Sequence, residues 1–364
     1  MWKLDLVTLL SASLVAFFVI RPLPIKRWIK VVLSLFIFGF APRYAYYRLF
    51  RTGFMSPETM PNVLVIYLLW HAMFLWVAAF FLIIVACVKR FWKAFPLWTA
   101  LAVSMVLTTY MVWSGFRANP PVVEHIVELE GLPNAADGLR IVILADMHID
   151  QIRGKEWCEN LVNRVNALQP DLILFTGDQS DGGVEARRED LTPLAQLKAR
   201  LGKFAIGGNH EAWFDAPMLE LLQESYGVQS LNDAVVEVAG LTLVGIEDER
   251  SLADSNAVFR LEALMTAVPQ SAYPILLSHK PAVAKRADAL GVRMQFSGHT
   301  HGGQLPLVEQ IIAHFNGGFV RGWYDLPHGM QLFVAPGCGV WSGFPYRLYS
   351  PEISLLTLKK KEAK

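Results

Sequence analysis

The sequence predicts an α/β domain carried behind an N-terminal membrane-spanning helical region, and three observations predict it. The chain of 364 residues is 53% hydrophobic and only 18% charged, with the apolar excess gathered into its first third. A strand–helix–strand unit follows over residues 140–176. Beyond it, side chains of metal-ligating type recur directly after short apolar runs.

A chain of this length exceeds the usual single domain, so two units are expected: a transmembrane helical region over 1–116 and a second domain over 117–364. Globular chains carry about 25% charged residues, and the shortfall here falls at one end. Net charge is +1, from 33 basic and 32 acidic residues, which offers no electrostatic footprint for nucleic acid, and no nucleic-acid partner is expected. Cys87, Cys158 and Cys338 have no partner at metal-site spacing and read as ordinary thiols.

Four apolar runs fill the first unit, at residues 4–20, 31–49, 63–88 and 96–114. The first lacks a cleavable signal's pattern and is followed by RPLPIKRWIK, so it reads as a retained span. The second is the weakest, because Pro42 and Arg43 interrupt it. Crossing hydrocarbon about 30 Å thick takes roughly 20 helical residues, and three of the runs are expected to meet that length. Trp92, Trp98 and Trp113 lie near run ends, where amphipathic rings favour the interface. With four crossings, Arg21, Lys26, Arg27, Lys30, Lys89, Arg90 and Lys93 share one side, against Lys3, Arg43, Arg48, Arg51 and Arg117 on the other. The positive-inside rule then places the second domain on the outer face of a cell membrane, as part of a multi-pass protein, and an interfacial second run would reverse this. His71, inside the third run, reads as a neutral histidine facing a neighbouring helix.

In the second unit, Arg140–Ala145 and Asp171–Thr176 read as buried strands, and 155–168 between them has helical periodicity through Trp157, Leu161, Val165 and Leu168. Such a unit marks a parallel pair with a right-handed crossover. Further strands are expected at 204–206, 235–238, 241–246, 275–277, 294–296, 332–335 and 353–358, and helices near 187–201, 216–226, 258–267 and 281–290. The segments 213–226 and 306–324 are candidate substrate loops, the latter with Phe315, Phe319, Trp323 and Tyr324 as aromatic surface.

The chemistry-bearing residues follow the strands. Asp146 and His148 lie in ADMH, Asp178 in TGDQ, Asn209 and His210 in GGNHE, His279 in LSHKP, and His299 and His301 in SGHTH. In α/β folds strand C-terminal ends converge on one edge, where sites are built. Mixed imidazole and carboxylate donors suit zinc, iron or manganese rather than calcium or magnesium. Seven donors are too many for one open-sited ion and suit two ions sharing a carboxylate. His125, His314 and His328 lie outside the motifs and read as surface or packing residues.

The ordered set DMH, GD, GNHE, SHKP and GHTH resembles the calcineurin-like metallophosphoesterases over roughly residues 123–358. GGQ after GHTH, and GLRIVILADMH at the start, are similar to a subgroup of bacterial membrane-associated phosphodiesterases and UDP-diacylglucosamine pyrophosphatase-like enzymes. The resemblance implies a four-layer α/β/β/α sandwich holding two divalent ions: Asp146, His148 and His301 on the first, Asn209, His279 and His299 on the second, Asp178 bridging, and His210 as the acid that assists the leaving group. It implies hydrolysis of a phosphodiester or pyrophosphate bond by a hydroxide shared between the ions. The anchor makes a membrane lipid a candidate substrate. A soluble nucleotide diester, with the helices only as anchor, and a non-catalytic metal-binding membrane module are the alternatives.

Overall fold

The computed structural model describes residues 2–42, 45, 60–88, 97–117, 119–214, 217–248, 256–341 and 346–361. The end of the second apolar run, with Arg43 and Arg48, lies outside the described residues, as do Arg51, Lys89, Arg90, Trp92, Lys93 and Pro96. The same holds for Asp215 and Ala216 in the first candidate substrate loop and for the last three residues of the tail.

Two units divide the chain at Arg117 and Ala118. The first is helical: α1 (Trp2–Val15, continued by a π-helical turn Ala16–Ile20), α2 (Arg27–Gly39), α3 (Asn62–Val88) and α4 (Leu97–Arg117). Among the described residues two stretches are long and apolar enough to cross a bilayer, Asn62–Cys87 and Leu97–Phe116, with mean hydropathies of 2.4 and 1.4. Leu4–Ile20 is shorter than the expected crossing length, because Arg21 ends its apolar run. Within this unit His71 is buried, with Nε2 3.1 Å from the carbonyl of Ile37 on α2.

The second unit holds β1 (Val122–Leu129), β2 (Arg140–Leu144), α5 (Lys155–Ala167), β3 (Leu172–Thr176), α6 (Val184–Leu191), β4 (Gly202–Ile206), α7 (Asn209–Trp213), α8 (Met218–Tyr226), β5 (Gln229–Ser230), β6 (Ala234–Val238) and β7 (Leu241–Gly245). It continues with α9 (Ala257–Thr266), β8 (Pro274–Leu277), α10 (Ala284–Ala289), β9 (Met294–Ser297), α11 (Pro306–Phe315), β10 (Gly322–Asp325), β11 (Gln331–Val334) and β12 (Ile353–Lys360). The strands form two six-stranded sheets, in the orders β1-β12-β2-β3-β4-β5 and β10-β11-β9-β8-β7-β6.

Successive side chains of a strand point to opposite faces, and here both faces are covered. Ile141, Ile143, Leu172 and Leu174 of the first sheet share one core with Leu243, Ile275, Leu277 and Phe296 of the second. The alternate residues Val142, Leu144, Ile173 and Phe175 pack with Leu161 and Val165 of α5 and Leu222 of α8. Val244 and Leu276 pack with Leu261 of α9 and Ala284 and Ala287 of α10. The expected α/β/β/α sandwich is the observed architecture. Buried both sides, these strands are continuous apolar runs, which is why they were visible in the sequence.

The departures have local causes. The helix expected over 187–201 ends at Leu191 and gives way to a 3-10 turn, Thr192–Gln196, because Pro193 carries no amide hydrogen for a longer α-helix. The one expected over 281–290 likewise begins as a 3-10 turn at Pro281 before α10. Residues 306–315, expected as loop, are helix α11, with Pro306 in its first turn, where a proline is tolerated. Phe319 and Tyr324 pack on each other and Trp323 packs on Phe333, and of the four candidate loop aromatics Phe315 is the most exposed, ahead of Trp323. Strands β1, β5 and β10 were not anticipated. β1 is an edge strand paired parallel to β12, and its charged, alternately exposed residues hide the strand pattern. All three cysteines are free thiols, Cys158 and Cys338 buried.

Candidate metal centre

Strands β2, β3 and β4 run parallel to one another, and so do β8 and β9, so each sheet delivers its C-terminal loops to one edge. Past the ends of β2 and β3 the pairing continues into the loops. The amides of Asp146, His148 and Ile149 donate to the carbonyls of Gly177, Asp178 and Gln179, and Asp181 N–H donates back to Ile149. This zipper lays the ADMH and GDQ segments side by side.

The backbone here is unusual. Asp146, His148, Asp178, His299 and His301 all have positive φ, from 45 to 72°. Left-handed backbone is costly for residues other than glycine and persists only where the surroundings impose it, most often at functional sites. Five of the eight candidate site residues share this conformation, which turns their side chains into one cavity edge.

Those side chains meet. His148 Nε2 lies 3.1 Å from His301 Nε2. Asp146 Oδ1 is 4.0 Å from the former and 3.7 Å from the latter. Asp178 Oδ2 is 3.6 Å from His148 Nε2 on one side and 3.3 Å from His279 Nε2 on the other. His299 offers a ring nitrogen within 4.8 Å of the Asp178 and His279 ligand atoms. Asn209 heads α7, with its Oδ1 buried and without a hydrogen-bond partner among the described residues. His210 Nε2 stands 3.9 Å from Asp178 Oδ2, and its amide donates to Asp178 Oδ1. All eight candidate residues thus fall in one locality, although 155 residues separate Asp146 from His301 in the chain.

The fit to divalent ions can be judged from what the side chains lack. His279 Nδ1 donates to the Thr176 carbonyl at 2.7 Å, which leaves its Nε2 lone pair aimed inward, and that Nε2 makes no properly directed hydrogen bond despite the nearby Asp178 oxygen. His148 and His301 set two ring nitrogens face to face. Buried polar atoms are ordinarily satisfied; His279 Nε2 and Asn209 Oδ1 are not, and a cation at the site would satisfy both. The donor set fits.

In the metal-free centre the carboxylates and imidazoles set one another's charge. Burial works against ionised Asp178, but His279, His210 and His148 outweigh it and hold its carboxyl well below the usual range. Burial likewise opposes a charged His210, yet Asp178 and Asp181 raise it to about 9. His279 is raised to about 10, with Asp178 again overcoming burial.

Two residues of the site were missed in the sequence. One oxygen of Asp181 accepts from Nδ1 of both His148, at 2.8 Å, and His210, at 2.5 Å, fixing both rings with Nε2 turned into the site. The only sequence signal was an acid three positions past Asp178. Glu211, 6% exposed, accepts from the amides of Gly208, Asp178, Gln179 and Ser180 and so shapes the loop that carries Asp178. In the GNHE motif it was adjacent to every assigned residue, but nothing in the spacing showed which amides it would gather. Close packing explains two glycines: a Cβ on Gly208 would lie 2.2 Å from Asp178 Oδ1, and one on Gly298 would lie 2.4 Å from Asp146 Oδ2.

Residues 139–303 match the sequence pattern of the family described as calcineurin-like phosphoesterases. An uncharacterized metallophosphoesterase of Aquifex aeolicus is 33% identical over 245 residues, covering 66% of this chain and 92% of that protein. The chain belongs to the calcineurin-like phosphoesterase family. Members of this family are metal-dependent hydrolases that use two divalent ions, and the Asp/His clusters described above are groups of this chain that could hold them. A Danio rerio protein named "Transmembrane protein with metallophosphoesterase domain" is 33% identical over 282 residues, 72% of this chain and 62% of that protein. The chain therefore spans about three fifths of that relative's length. A dimetal phosphatase structure from Danio rerio aligns with a TM-score of 0.39 and 11% identity, over 62% of this chain and 100% of that one. A Bos taurus relative is also named "Transmembrane protein with metallophosphoesterase domain", and among the described residues of this chain two helices are long and apolar enough to cross a membrane.

Proposed function

We propose that this protein is a membrane-anchored phosphoesterase that hydrolyses a phosphodiester or pyrophosphate bond, in a lipid-linked substrate, at a centre built for two divalent ions. The observation that carries this reading is the place of Asp178, whose Oδ2 lies between His148 Nε2 at 3.6 Å and His279 Nε2 at 3.3 Å. One carboxylate oxygen between two imidazole groups is the position a bridging ligand requires. Asp146, His148 and His301 would hold the first ion, and Asn209, His279 and His299 the second. When bound, manganese, zinc or iron would supply Lewis acidity, acidifying water and offsetting charge on the phosphoryl oxygens.

The chain's own groups account for the rest. Asp181 keeps a proton on His210 Nδ1 and turns Nε2 toward the site. In the metal-free chain the carboxylates of Asp178 and Asp181 outweigh burial, favour the protonated ring and raise His210 to about 9. In an in-line displacement a water oxygen bonds to phosphorus and that water releases a proton to solvent, the bond to the departing oxygen breaks, and His210 gives the departing oxygen its proton. Asn209 offers its side chain to the equatorial oxygens, where donors aimed at developing charge are most effective.

Apolar helices beside a hydrolase domain favour an amphipathic substrate over a soluble nucleotide, and the positive-inside count over Arg21, Lys26, Arg27 and Lys30 favours an outward-facing catalytic domain on a multi-pass anchor. Protease added to intact cells digests an outward domain and spares an inward one.

The decisive experiment is hydrolysis of a chromogenic phosphodiester and its monoester by detergent-purified protein, stripped of metal and then resupplied with manganese, zinc or iron, with Asp178→Ala in parallel. Activity restored by metal and lost in the variant is expected. An Asp178→Ala protein with full metal content and undiminished rate contradicts the assignment.

A further inference from the structure

Beside the metal centre, where the chain leaves β7 and β8, lies a cavity of about 220 Å³ that none of the assigned roles uses. His279 forms part of its lining, so it opens next to one of the candidate ligands. Its polar floor is the ion pair of Lys280 and Asp248, with Nζ 2.6 Å from Oδ1 and both side chains less than a tenth exposed. Val283 and the outward-lying Phe315 give it an apolar wall. Asp248 Oδ2 is the feature that asks for a ligand: it is buried and has no hydrogen-bond partner among the described residues. A buried acceptor left without a donor loses its hydration with nothing in return.

We infer that this cavity is a specificity subsite for a neutral, hydroxyl-bearing group of the substrate, a glycerol or sugar moiety esterified to the phosphate, with Asp248 Oδ2 accepting its hydrogen bond. This deepens, and rests on, the phosphoesterase reading of the adjoining centre. The charge pattern selects the group. Lys280 and Asp248 neutralise each other as a pair, so the open Oδ2 is a hydrogen-bond acceptor with little net charge around it, which a neutral hydroxyl donor matches. The apolar wall suits the carbon face of a polyol. The space equals roughly seven waters at about 30 Å³ each, enough for a moiety of three to six carbons.

The test is equilibrium binding of glycerol phosphate and of methyl phosphate to the full-length protein, in detergent and loaded with manganese. The two share the phosphate, so the ratio of their dissociation constants isolates the polyol contact from any change at the metals. Glycerol phosphate is expected to bind at least about tenfold more tightly, as a hydrogen bond to a charged acceptor implies. In Asp248→Asn that preference falls toward unity. Because Asp248→Asn strands a buried Lys280, the double variant Asp248→Leu, Lys280→Met is measured too; replacing a buried pair by apolar residues of similar size preserves folding. Equal binding of the two phosphates by the wild type, or an undiminished preference in the double variant, overturns the subsite, the cavity then holding water only. Neither result touches the phosphoesterase reading, which stands or falls on chromogenic diester hydrolysis.

Discussion

His148 and His301 face each other through their Nε2 atoms at 3.1 Å, in a buried site, with the carboxylate of Asp146 within 4.0 Å of both. Asp181 contacts Nδ1 of His148 and so turns the Nε2 of that ring toward His301. Folding brings the two nitrogens and the Asp146 carboxylate close enough that they would hold one ion together, and that ion would add to the stability of the folded site.

Metal removal should therefore loosen the fold as well as stop the chemistry. Chelation is expected to lower the unfolding temperature of the phosphoesterase unit by several degrees, since a ligand at about 100 times its Kd contributes about 2.7 kcal/mol. His301→Ala should retain close to one of the two ions, measured by elemental analysis after dialysis. Two equivalents retained in His301→Ala would remove it from the ligand set.

Asp181→Asn tests the carboxylate shared by His148 and His210. The amide keeps the size but can donate where a pure acceptor is needed, so the two rings lose their common anchor. Partners that orient metal-bound histidines are worth about 10–100-fold in affinity or activity. A loss in that range is expected in both metal affinity and diester turnover, with an unchanged circular dichroism spectrum.

Glu211 gathers four backbone amides around the Asp178 loop. Glu211→Ala leaves these donors buried and unpaired, each orphan costing about 1–3 kcal/mol where water cannot enter. Denaturant unfolding should show a loss on the order of 3 kcal/mol or more. An effect under about 1 kcal/mol would mean the loop holds its shape without Glu211.

The metal-free protein should also be less stable at alkaline pH. His210 is raised to about 9 and His279 to about 10 in the folded chain, against about 6.5 unfolded. A raised imidazole contributes stability that is complete below about 6.5 and is lost as pH climbs through the folded value. For His210 this loss is on the order of 2–4 kcal/mol between neutral pH and pH 10. His210→Gln should flatten that decline, and an equal slope in wild type and variant would show that His210 is not charged in the folded state.

Much of this was legible in the sequence, and the residues say why. β2 and β3 are buried on both faces, so RIVIL and LILFT are unbroken apolar runs. The ligand-type residues stand one to a few positions beyond such runs, and strand direction alone carries Asp146, Asp178, Asn209, His279 and His299 to a common edge. Of the three apolar runs expected to reach crossing length, the two longest do so among the described residues, because composition and length govern what can cross a bilayer.

What the tertiary structure decided is the set of contacts between segments distant in sequence. Asp181 meets His148 only because the β2 and β3 loops continue to pair beyond the strands, through Ile149 and Ser180. The partners of Glu211 are amides, which no residue code displays. Asp248 and Lys280, 32 positions apart, form their pair because β7 and β8 lie side by side. Local pattern determines which elements form and where their ends point. Which buried polar atom satisfies which other depends on the packing of two sheets, and no short stretch of sequence contains that information.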